Sequence, residues 1–304
     1  MNAIETRGLG KRYGRTWALR DCTLGIPAER VVALVGPNGP GKTTLLQLAV
    51  GLIGQSTGQI GVLDGLAPGS SEALDGIAFV AQDTPLYNYL SVADTLRLVS
   101  NLANTWDETR ARARLDALGI PLSRNVGKLS GGQQAQVALA VALARHPRLL
   151  ILDEPVAELD PLARHDFMST LMEAVAEDGV SVIFSSHVLS ELERVCDHLV
   201  LLSRGSVQIA GTVDDLLATH RVFTGPVEQA DAVAAALPVV HERRAGRQAS
   251  LLVRTTKHPA VPAGWQDDPT NLEELVLSYL RSPNASALPG PNSPSSNATK
   301  AVTA

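Results

Sequence analysis

Residues 36–44 read Gly-Pro-Asn-Gly-Pro-Gly-Lys-Thr-Thr, after a β-branched run at residues 31–35 and before helix-compatible spacing at residues 42–52. Strand, glycine-rich loop and helix in this order are the context in which the pattern GxxxxGK[ST] predicts a phosphate-binding loop. The backbone N–H groups of such a loop, together with the positive end of the helix, attract phosphate oxygens. An ordinary Gly/Pro turn with a solvated lysine is the alternative, and the flanking strand and helix disfavour it.

This loop defines the first set of candidate site residues. Lys42 would bring a positive charge to the β- and γ-phosphates of a nucleotide, and the Thr43 hydroxyl would ligate Mg²⁺. The predicted nucleotide-binding residues of the loop are Gly36, Pro37, Asn38, Gly39, Pro40, Gly41, Lys42, Thr43 and Thr44.

An apolar run that ends in two carboxylates forms the second candidate, Leu-Leu-Ile-Leu-Asp-Glu at residues 149–154. In open α/β sheets, ligands bind beyond the carboxyl ends of the parallel strands. We therefore expect Asp153 to hold the Mg²⁺ shell and Glu154 to act as the general base that polarises the attacking water. Acidic residues at strand ends are more often solvated turn residues, so this assignment depends on the phosphate loop upstream.

The pentapeptide Leu-Ser-Gly-Gly-Gln at residues 129–133 predicts a second anion site. Ser130 suits a helix N-cap, Gly131 and Gly132 permit close backbone approach, and a helix is expected to begin at or near Gln133. Alone, SGG is most often a flexible turn. The prediction therefore rests on its combination with the other motifs.

The composition limits the class of function. The chain has 304 residues, of which 45% are apolar, enough for one large α/β domain with a smaller appendage. The formal net charge of −5 disfavours a general nucleic-acid-binding role, and we expect no nucleic-acid partner. The two cysteines, Cys22 and Cys196, are far apart in sequence, which indicates a reducing compartment and no structural metal.

No secretory or membrane-spanning segment is predicted. The N-terminal residues lack the apolar core of a signal peptide, and the longest apolar run, at residues 137–144, is too short to cross a bilayer. If the protein serves a membrane, we expect a cytoplasmic location with peripheral attachment to the inner face of the cell membrane.

The secondary-structure patterns predict an α/β fold, with a P-loop NTPase core, an antiparallel β subdomain, an α-helical insertion and a small C-terminal α+β domain. Residues 1–30 predict an antiparallel hairpin, and strands are expected at residues 31–35, 77–81, 149–152 and 180–184. The helical insertion covers about residues 86–145. Domain boundaries are predicted to give a nucleotide-binding domain at 1–220, an accessory domain at 221–281 and a disordered tail at 282–304.

The motifs GPNGPGKTT, LSGGQ and LLILDEP occur in this order, and residues 2–220 resemble the nucleotide-binding domain of ABC transporters. LSGGQ separates this family from other P-loop NTPases. The resemblance implies an ATPase that uses ATP and Mg²⁺. Its partners would be a second copy of the chain in a head-to-tail dimer, or a homologous cassette, and a separate multi-helix membrane subunit.

The resemblance also implies roles for individual residues. In the dimer, Ser130 and Gly132 of one subunit would contact the γ-phosphate held by the phosphate loop of the other, with Gly131 and Gln133 in the same ATP-binding set. Tyr13 matches the aromatic residue that stacks on adenine, and Asp160 matches a loop that crosses the dimer near the other subunit's site.

Two further matches complete the implied catalytic set. Gln82, after the predicted strand at 77–81, matches the glutamine that senses Mg²⁺, water and the membrane subunit. His187 matches the histidine that contacts the γ-phosphate. The implied catalytic residues are thus Lys42, Gln82, Glu154 and His187, and the implied metal-binding residues are Thr43, Gln82 and Asp153.

Two positions depart from the family pattern. Pro40 stands where a residue with an N–H is usual, and a hydrogen bond to a charged ligand contributes about 1.5–3 kcal/mol, so we expect weaker ATP binding. Glu158 stands where glycine or alanine is usual. We expect its carboxylate to slow dimer closure by repulsion.

Three interpretations remain open at this point: a transporter subunit, a soluble ABC ATPase that acts on ribosomes or DNA, and an ATP-binding regulatory module without hydrolysis. A single cassette without a long coiled-coil insertion favours the first, and the presence of Glu154 and His187 disfavours the third. The stretch at residues 271–277 resembles the terminal helix of bacterial exporter ATPases. This favours export of a drug, antibiotic, lipid or similar small molecule, although an amphipathic capping helix would give the same pattern.

Overall fold

The described strands and helices extend from Asn2 to Arg281. The computed structural model describes residues 1–37, 39, 41–82, 86–186, 192–193, 195–255, 261–283 and 285. The described strands are β1 (Asn2–Tyr13), β2 (Thr16–Pro27), β3 (Val31–Val35), β4 (Thr57–Val62), β5 (Ile77–Val80), β6 (Leu149–Leu152), β7 (Ser181–Ser186), β8 (His198–Ser203), β9 (Ser206–Thr212), β10 (His220–Pro226), β11 (Val239–Ala245), β12 (Gln248–Arg254) and β13 (Gln266–Pro269).

The described α-helices are likewise numbered in chain order. They are α1 (Gly41–Ala49), α2 (Ser71–Gly76), α3 (Val92–Leu102), α4 (Glu108–Ala117), α5 (Gly131–Leu143), α6 (Pro161–Asp178), α7 (Val213–Ala218), α8 (Ala230–Ala236) and α9 (Leu272–Arg281), with 3₁₀ turns at Val126–Lys128 and Val227–Gln229.

The central sheet has the strand order β5-β6-β7-β3-β8-β9. The first five of these strands are parallel, and β9 pairs with β8 in the antiparallel sense. Every residue of β3, β6, β7 and β8 is buried, which is typical of parallel strands covered on both faces. The predicted strands at 31–35 and 149–152 have the predicted bounds, whereas β5 ends at Val80 and β7 runs to Ser186.

Alternation of side chains along β3 divides the interior into two layers. Val31, Ala33 and Val35 pack against residues of α5 and α6. Val32 and Leu34 pack against α1 and against the antiparallel sheet of β2, β1 and β4. The parallel sheet is therefore held between a helical layer and a β layer.

The antiparallel sheet has the order β2-β1-β4, so the predicted hairpin is present and has a third strand. β4 has the sequence Thr-Gly-Gln-Ile-Gly-Val and is mostly exposed, so it lacks the apolar alternation that predicts a strand. Gly58 of β4 has φ +73°, and a Cβ there would lie 2.2 Å from the Gly8 carbonyl oxygen. The close backbone contact therefore requires glycine at position 58 of this strand.

The predicted helical insertion contains α3, α4 and α5. Each begins at a polar N-cap whose side chain accepts a backbone N–H, namely Ser91, Asp107 and Ser130. Apolar residues of the three helices, among them Val92, Leu115 and Val137, form a cluster of their own. The insertion therefore has its own small core beside the parallel sheet.

The C-terminal sheet has the order β11-β12-β10-β13 with antiparallel neighbours. One face, with Phe223 and Leu251, packs against α8. The other face, with Val222 and Leu252, packs with α9 and joins the cluster beneath the parallel sheet. The C-terminal unit is thus continuous with the main core, and the predicted boundaries at 220/221 and 281/282 stay predictions.

Buried polar contacts fix α9 onto this unit and onto β9. His220 Nδ1 lies 2.7 Å from the Leu216 carbonyl oxygen, which can only accept, so Nδ1 carries the proton and Nε2 accepts from the Tyr279 hydroxyl at 2.8 Å. Burial lowers the pKa of His220 and raises the pKa of Tyr279 to about 12. Gln208 Nε2 donates to the carbonyl oxygens of Tyr279 (3.1 Å) and Ser282 (3.0 Å).

Within the described ranges, none of the helices combines the length and the apolar character needed to cross a bilayer. The predicted tail at 282–304 lies almost entirely outside the described residues.

Candidate active site

The phosphate loop follows β3 and leads into α1. Gly36 lies against β8, where a Cβ would come within 2.6 Å of the Leu202 carbonyl oxygen, so no larger residue fits. Lys42, the second residue of α1, is 3% exposed. Its ammonium group donates to the carbonyl oxygens of Gly36 at 3.0 Å and Pro37 at 3.3 Å. The helix therefore begins with a buried positive charge that points into the loop.

The two predicted carboxylates follow β6 and are linked to β7 by one hydroxyl group. Asp153 is 1% exposed, and the Ser185 hydroxyl donates to its Oδ1 at 2.7 Å. The same hydroxyl accepts the Glu154 N–H at 2.7 Å. Ser185 thus holds both acidic residues, a role that the sequence analysis missed. The available signal was a pair of serines, Ser185 and Ser186, at the end of an otherwise apolar strand.

Glu154 joins the carboxylate group to the phosphate loop. Its Oε1 lies 3.5 Å from the Lys42 Nζ, and both side chains are largely buried. The Glu154 backbone has φ +49°, in the left-handed region that favours glycine. A non-glycine residue there carries strain of about 1–3 kcal/mol. Such strain persists where surrounding contacts hold the backbone, and one such contact here is the hydrogen bond from the Glu154 N–H to the Ser185 hydroxyl.

The remaining predicted metal-binding residues lie at the same edge of the sheet. Thr43 is half-buried in the first turn of α1, and Gln82 is exposed two residues after β5, which pairs with β6. The described residues contain no group of three His, Cys, Asp or Glu side chains that could enclose a metal ion. Mg²⁺ is usually held by one or two protein groups with phosphates and water, so the set Thr43, Gln82 and Asp153 fits it.

The LSGGQ segment caps α5. The Ser130 Oγ accepts the Gln133 N–H and the Gln133 Oε1 accepts the Ser130 N–H, both at 3.2 Å, which is a capping box. The helix therefore begins at Gly131, two residues before the predicted start. A Cβ on Gly132 would meet the Ala163 Cβ at 2.7 Å, whereas a Cβ on Gly131 would meet nothing within 4 Å. Gly132 is thus required by packing, and Gly131 faces open space.

Asp160 is the N-cap of α6. Its Oδ1 accepts the N–H groups of Leu162 and Ala163, each at 3.0 Å. Because Ala163 is also the neighbour of Gly132, the Asp160 loop and the LSGGQ segment lie together. Glu158 is exposed close by. Described site residues therefore lie in two groups. The Lys42 group contains Lys42, Asp153 and Glu154 with Ser185, and the Ser130 group contains the LSGGQ segment and Asp160.

Tyr13 ends β1 and is 47% exposed. The Lys11 ammonium lies 5.3 Å from the centre of its ring. The role of this ring in stacking on adenine stays a prediction. Asn38, Pro40 and His187 lie outside the described residues, so their predicted roles and the consequence of Pro40 also stay predictions.

Comparison with known proteins places this geometry in a family. Residues 19–157 match the family model described as ABC transporter. The aliphatic sulfonates import ATP-binding protein SsuB of Pseudomonas putida is 38% identical over 213 residues, which cover 69% of this chain and 77% of SsuB. The chain belongs to the ABC transporter ATP-binding proteins. The lantibiotic transport ATP-binding protein SrtF of Streptococcus pyogenes is 31% identical over 226 residues, 74% of this ABC chain and 97% of SrtF.

A solved structure gives the same result for the fold. The dimeric structure of MJ0796, a bacterial ABC transporter cassette, superposes on the ABC chain with a TM-score of 0.60 at 26% identity. The superposition covers 67% of this chain and 96% of MJ0796. A second family model, an AAA domain, matches residues 122–193. An uncharacterized ABC transporter ATP-binding protein of Nostoc is 32% identical over 213 residues, which cover 68% of this chain and 63% of the Nostoc protein.

The family membership confirms the predicted α/β P-loop NTPase cassette and the prediction that this chain is an ATPase. ABC ATPases bind ATP, and cassettes of this family form dimers and work with membrane subunits. The roles of the individual site residues stay predictions.

Proposed function

We propose that the chain is the ATP-hydrolysing subunit that powers a membrane transporter, with the Lys42 group as its catalytic centre. The observation that carries this proposal is the 3.5 Å contact between the buried Lys42 Nζ and the Glu154 Oε1, beside the buried Asp153. A cation for phosphate and a carboxylate for water are thereby placed at one sheet edge. These are the groups that phosphoryl transfer to water requires.

Each residue of the group has a distinct proposed role. Lys42 turns its ammonium from the loop carbonyls to the β- and γ-phosphates of ATP, and Glu154 accepts the proton of the attacking water. Ser185 orients Asp153, which with Thr43 and Gln82 would hold Mg²⁺. The metal would supply positive charge that neutralises the phosphates. Outside the described residues, His187 is proposed to contact the γ-phosphate.

The Ser130 group is proposed to act on the nucleotide held by a second subunit. Ser130 lies at an exposed helix N-terminus, and Gly131 faces open space. An anion can approach such a terminus because its first N–H groups and the helix dipole favour negative charge. The exposed Asp160 loop beside it supports the same head-to-tail arrangement, in which each active site uses residues of both subunits.

An apolar groove supports a membrane subunit as the second partner. Leu52, Leu74 and Leu102 are 65%, 46% and 77% exposed, and they border a groove of about 560 Å³ together with Phe79 of β5. Exposed apolar patches of this kind mark interaction sites. Since Gln82 lies two residues after β5, a helix of the membrane subunit in this groove would lie close to the proposed catalytic edge. We propose that the chain acts from the cytoplasmic face of the membrane.

A photo-crosslinking residue introduced at Leu102 of the full chain tests this docking surface. In native membranes, we expect a crosslink to a multi-helix membrane protein. The same residue at Arg247, an exposed position in the turn between β11 and β12, should give none. Equal crosslinking from both positions, or none from Leu102, contradicts the proposed surface.

The cargo is proposed to be a drug, antibiotic, lipid or similar small molecule that is exported. The support is the amphipathic helix α9 at the end of the C-terminal unit, which contains most of the stretch at residues 271–277 that resembles the terminal helix of bacterial exporter ATPases. SsuB is named for import of aliphatic sulfonates and SrtF for lantibiotic transport. Substrate choice itself resides in the membrane subunit.

The Glu154→Gln variant tests the catalytic proposal. We expect ATP hydrolysis to fall about 10²- to 10⁴-fold, because the amide cannot accept the proton, while ATP-dependent dimers accumulate on size-exclusion chromatography. The matched control is Glu173→Gln, an exposed carboxylate on α6. Normal turnover in Glu154→Gln contradicts the assigned base, and a strictly monomeric variant contradicts the shared site.

A further inference from the structure

The end of β1 carries a contact between a cation and an aromatic ring. The Lys11 ammonium lies 5.3 Å from the centre of the Tyr13 ring. This distance is within the range of about 6 Å over which an ammonium group is attracted to the face of a ring. Because the ring is 47% exposed, packing in the core alone does not fix its orientation. The ammonium is a described contact that favours one orientation.

The Lys11 ammonium is itself held in place. It donates to the Gly54 carbonyl oxygen at 2.6 Å. Nearby, the Ser56 N–H donates to the Gly10 carbonyl oxygen at 2.8 Å, and the Ser56 hydroxyl accepts the Arg12 N–H at 3.0 Å. These hydrogen bonds join the end of β1 to the start of β4. The ammonium therefore has a defined place beside the ring.

The segment that binds the ammonium follows the helix of the phosphate loop. α1 has Lys42 in its first turn and ends at Ala49, and Gly54 follows shortly after it. The helix that carries the proposed phosphate ligand thus leads to the carbonyl group that holds Lys11. The phosphate end of the proposed nucleotide site and the exposed ring at the end of β1 are therefore connected through described contacts.

We propose that Lys11 is a positioning residue for adenine. Its ammonium covers one face of the Tyr13 ring and orients the ring, so that the base of ATP stacks on the opposite face. A ring that is already oriented lowers the cost of ordering on binding. This inference deepens the proposed function and rests on it, together with the stacking role predicted for Tyr13. Lys11 acts through the ring and does not touch the nucleotide.

Equilibrium binding to the full chain without Mg²⁺, measured by calorimetry, tests this role with two probes. One is ATP, and the other is inorganic triphosphate, which has no base. Lys11→Met keeps an unbranched side chain and removes the charge. We expect its Kd for ATP to rise about threefold, typical of an exposed cation–ring contact, while its Kd for inorganic triphosphate stays unchanged. Lys11→Arg keeps a cation and should restore ATP binding.

Two further variants show whether the effect passes through the ring. Tyr13→Ala should raise the Kd for ATP about fivefold or more, and Lys11→Met added to it should cause no further rise. Arg12→Met is the matched control for loss of charge, because the Arg12 guanidinium lies 5.5 Å from the centre of the Trp17 ring. It should leave both Kd values unchanged.

Unchanged ATP binding in Lys11→Met or in Tyr13→Ala overturns the inference. Equal weakening of ATP and inorganic triphosphate does so too, because it would show a general effect of charge or fold. The inference also fails if Lys11→Arg binds ATP as weakly as Lys11→Met, if Arg12→Met does, or if Lys11→Met weakens binding equally without the ring. These outcomes leave the proposed function intact if the wild-type chain hydrolyses ATP. A wild-type chain without ATPase activity would instead refute the proposed function itself.

Discussion

The Lys42 group and the Ser130 group are both built at the N-terminus of a helix, yet they differ in burial and charge. At α1, a buried ammonium lies beside buried carboxylates, with its partners in the same chain. At α5, the polar atoms are uncharged, already form a capping box and face outward. Two helix N-termini of one chain can thus differ in kind. One carries a charged group built from residues of the same chain, and the other is an exposed surface that would join a site only when a second molecule approaches.

The largest expected loss of stability and activity comes from substitution of Ser185, near the end of β7 that lies at the proposed catalytic edge. Ser185→Ala removes the donor to the buried Asp153 and the acceptor of the Glu154 N–H. We expect a loss of about 3 kcal/mol in the free energy of unfolding, because a buried charged group loses a hydrogen bond. ATP hydrolysis should fall at least tenfold, because the two acidic residues lose their common support.

Ser181→Ala is the matched control, since Ser181 is buried in the same strand and accepts the Glu29 N–H at 2.8 Å. It lies about 13 Å from Ser185, at the other end of β7. Denaturant unfolding and steady-state kinetics should show lower stability with normal kcat. If Ser181→Ala slows hydrolysis as much as Ser185→Ala, the effect is general to the strand and not specific to the site.

The second largest effect is expected in the Ser130 group, where two neighbouring glycines should affect different properties, stability at Gly132 and ATP hydrolysis at Gly131. Gly132→Ala should destabilise the fold by about 2 kcal/mol, because its methyl group meets the Ala163 Cβ on a rigid helix. Gly131→Ala should leave the melting temperature unchanged. Its methyl group would occupy the open space proposed for the partner-held nucleotide, so ATP hydrolysis should fall. Unfolding midpoints and ATPase rates of both variants test this, and normal hydrolysis in Gly131→Ala would count against a shared site.

The smallest expected effect concerns the cap of α5. Ser130→Ala should cost about 1 kcal/mol of stability, the usual loss for an N-cap. Ser130→Asp keeps the cap and should restore the stability. It should not restore ATP hydrolysis, because its carboxylate would repel the phosphate. Recovery of both properties in Ser130→Asp would show that Ser130 is only a helix cap.

Much of the fold was predictable because its signals are local. β3 and β6 are apolar runs beside glycine or acidic residues, and their bounds match the sequence predictions. The order of the motifs also indicated the family. The N-cap role of Asp160 was predictable, because Asp followed by Pro is a helix-start signal. The sequence analysis gave Asp160 only the role at the dimer that the resemblance implies.

Other features depend on contacts between residues distant in sequence. Ser185 binds the acidic residues only because β6 and β7 are neighbours in the sheet. β4 is a strand because Gly58 packs against the backbone of β1, although its sequence has no strand pattern. A contact between Glu193 and Leu272 joins two units whose packing no local pattern reveals. Tertiary pairing therefore determined the parts that the sequence did not predict.

The left-handed backbone of Glu154 has a consequence for the natural or laboratory evolution of this chain. Glycine at position 154 would relieve the strain and could raise thermal stability, while it would remove the carboxylate proposed as the base. Selection for heat resistance alone would then favour an inactive protein. Thermostabilised variants of this chain therefore need an activity screen at this residue, where stability and turnover are opposed.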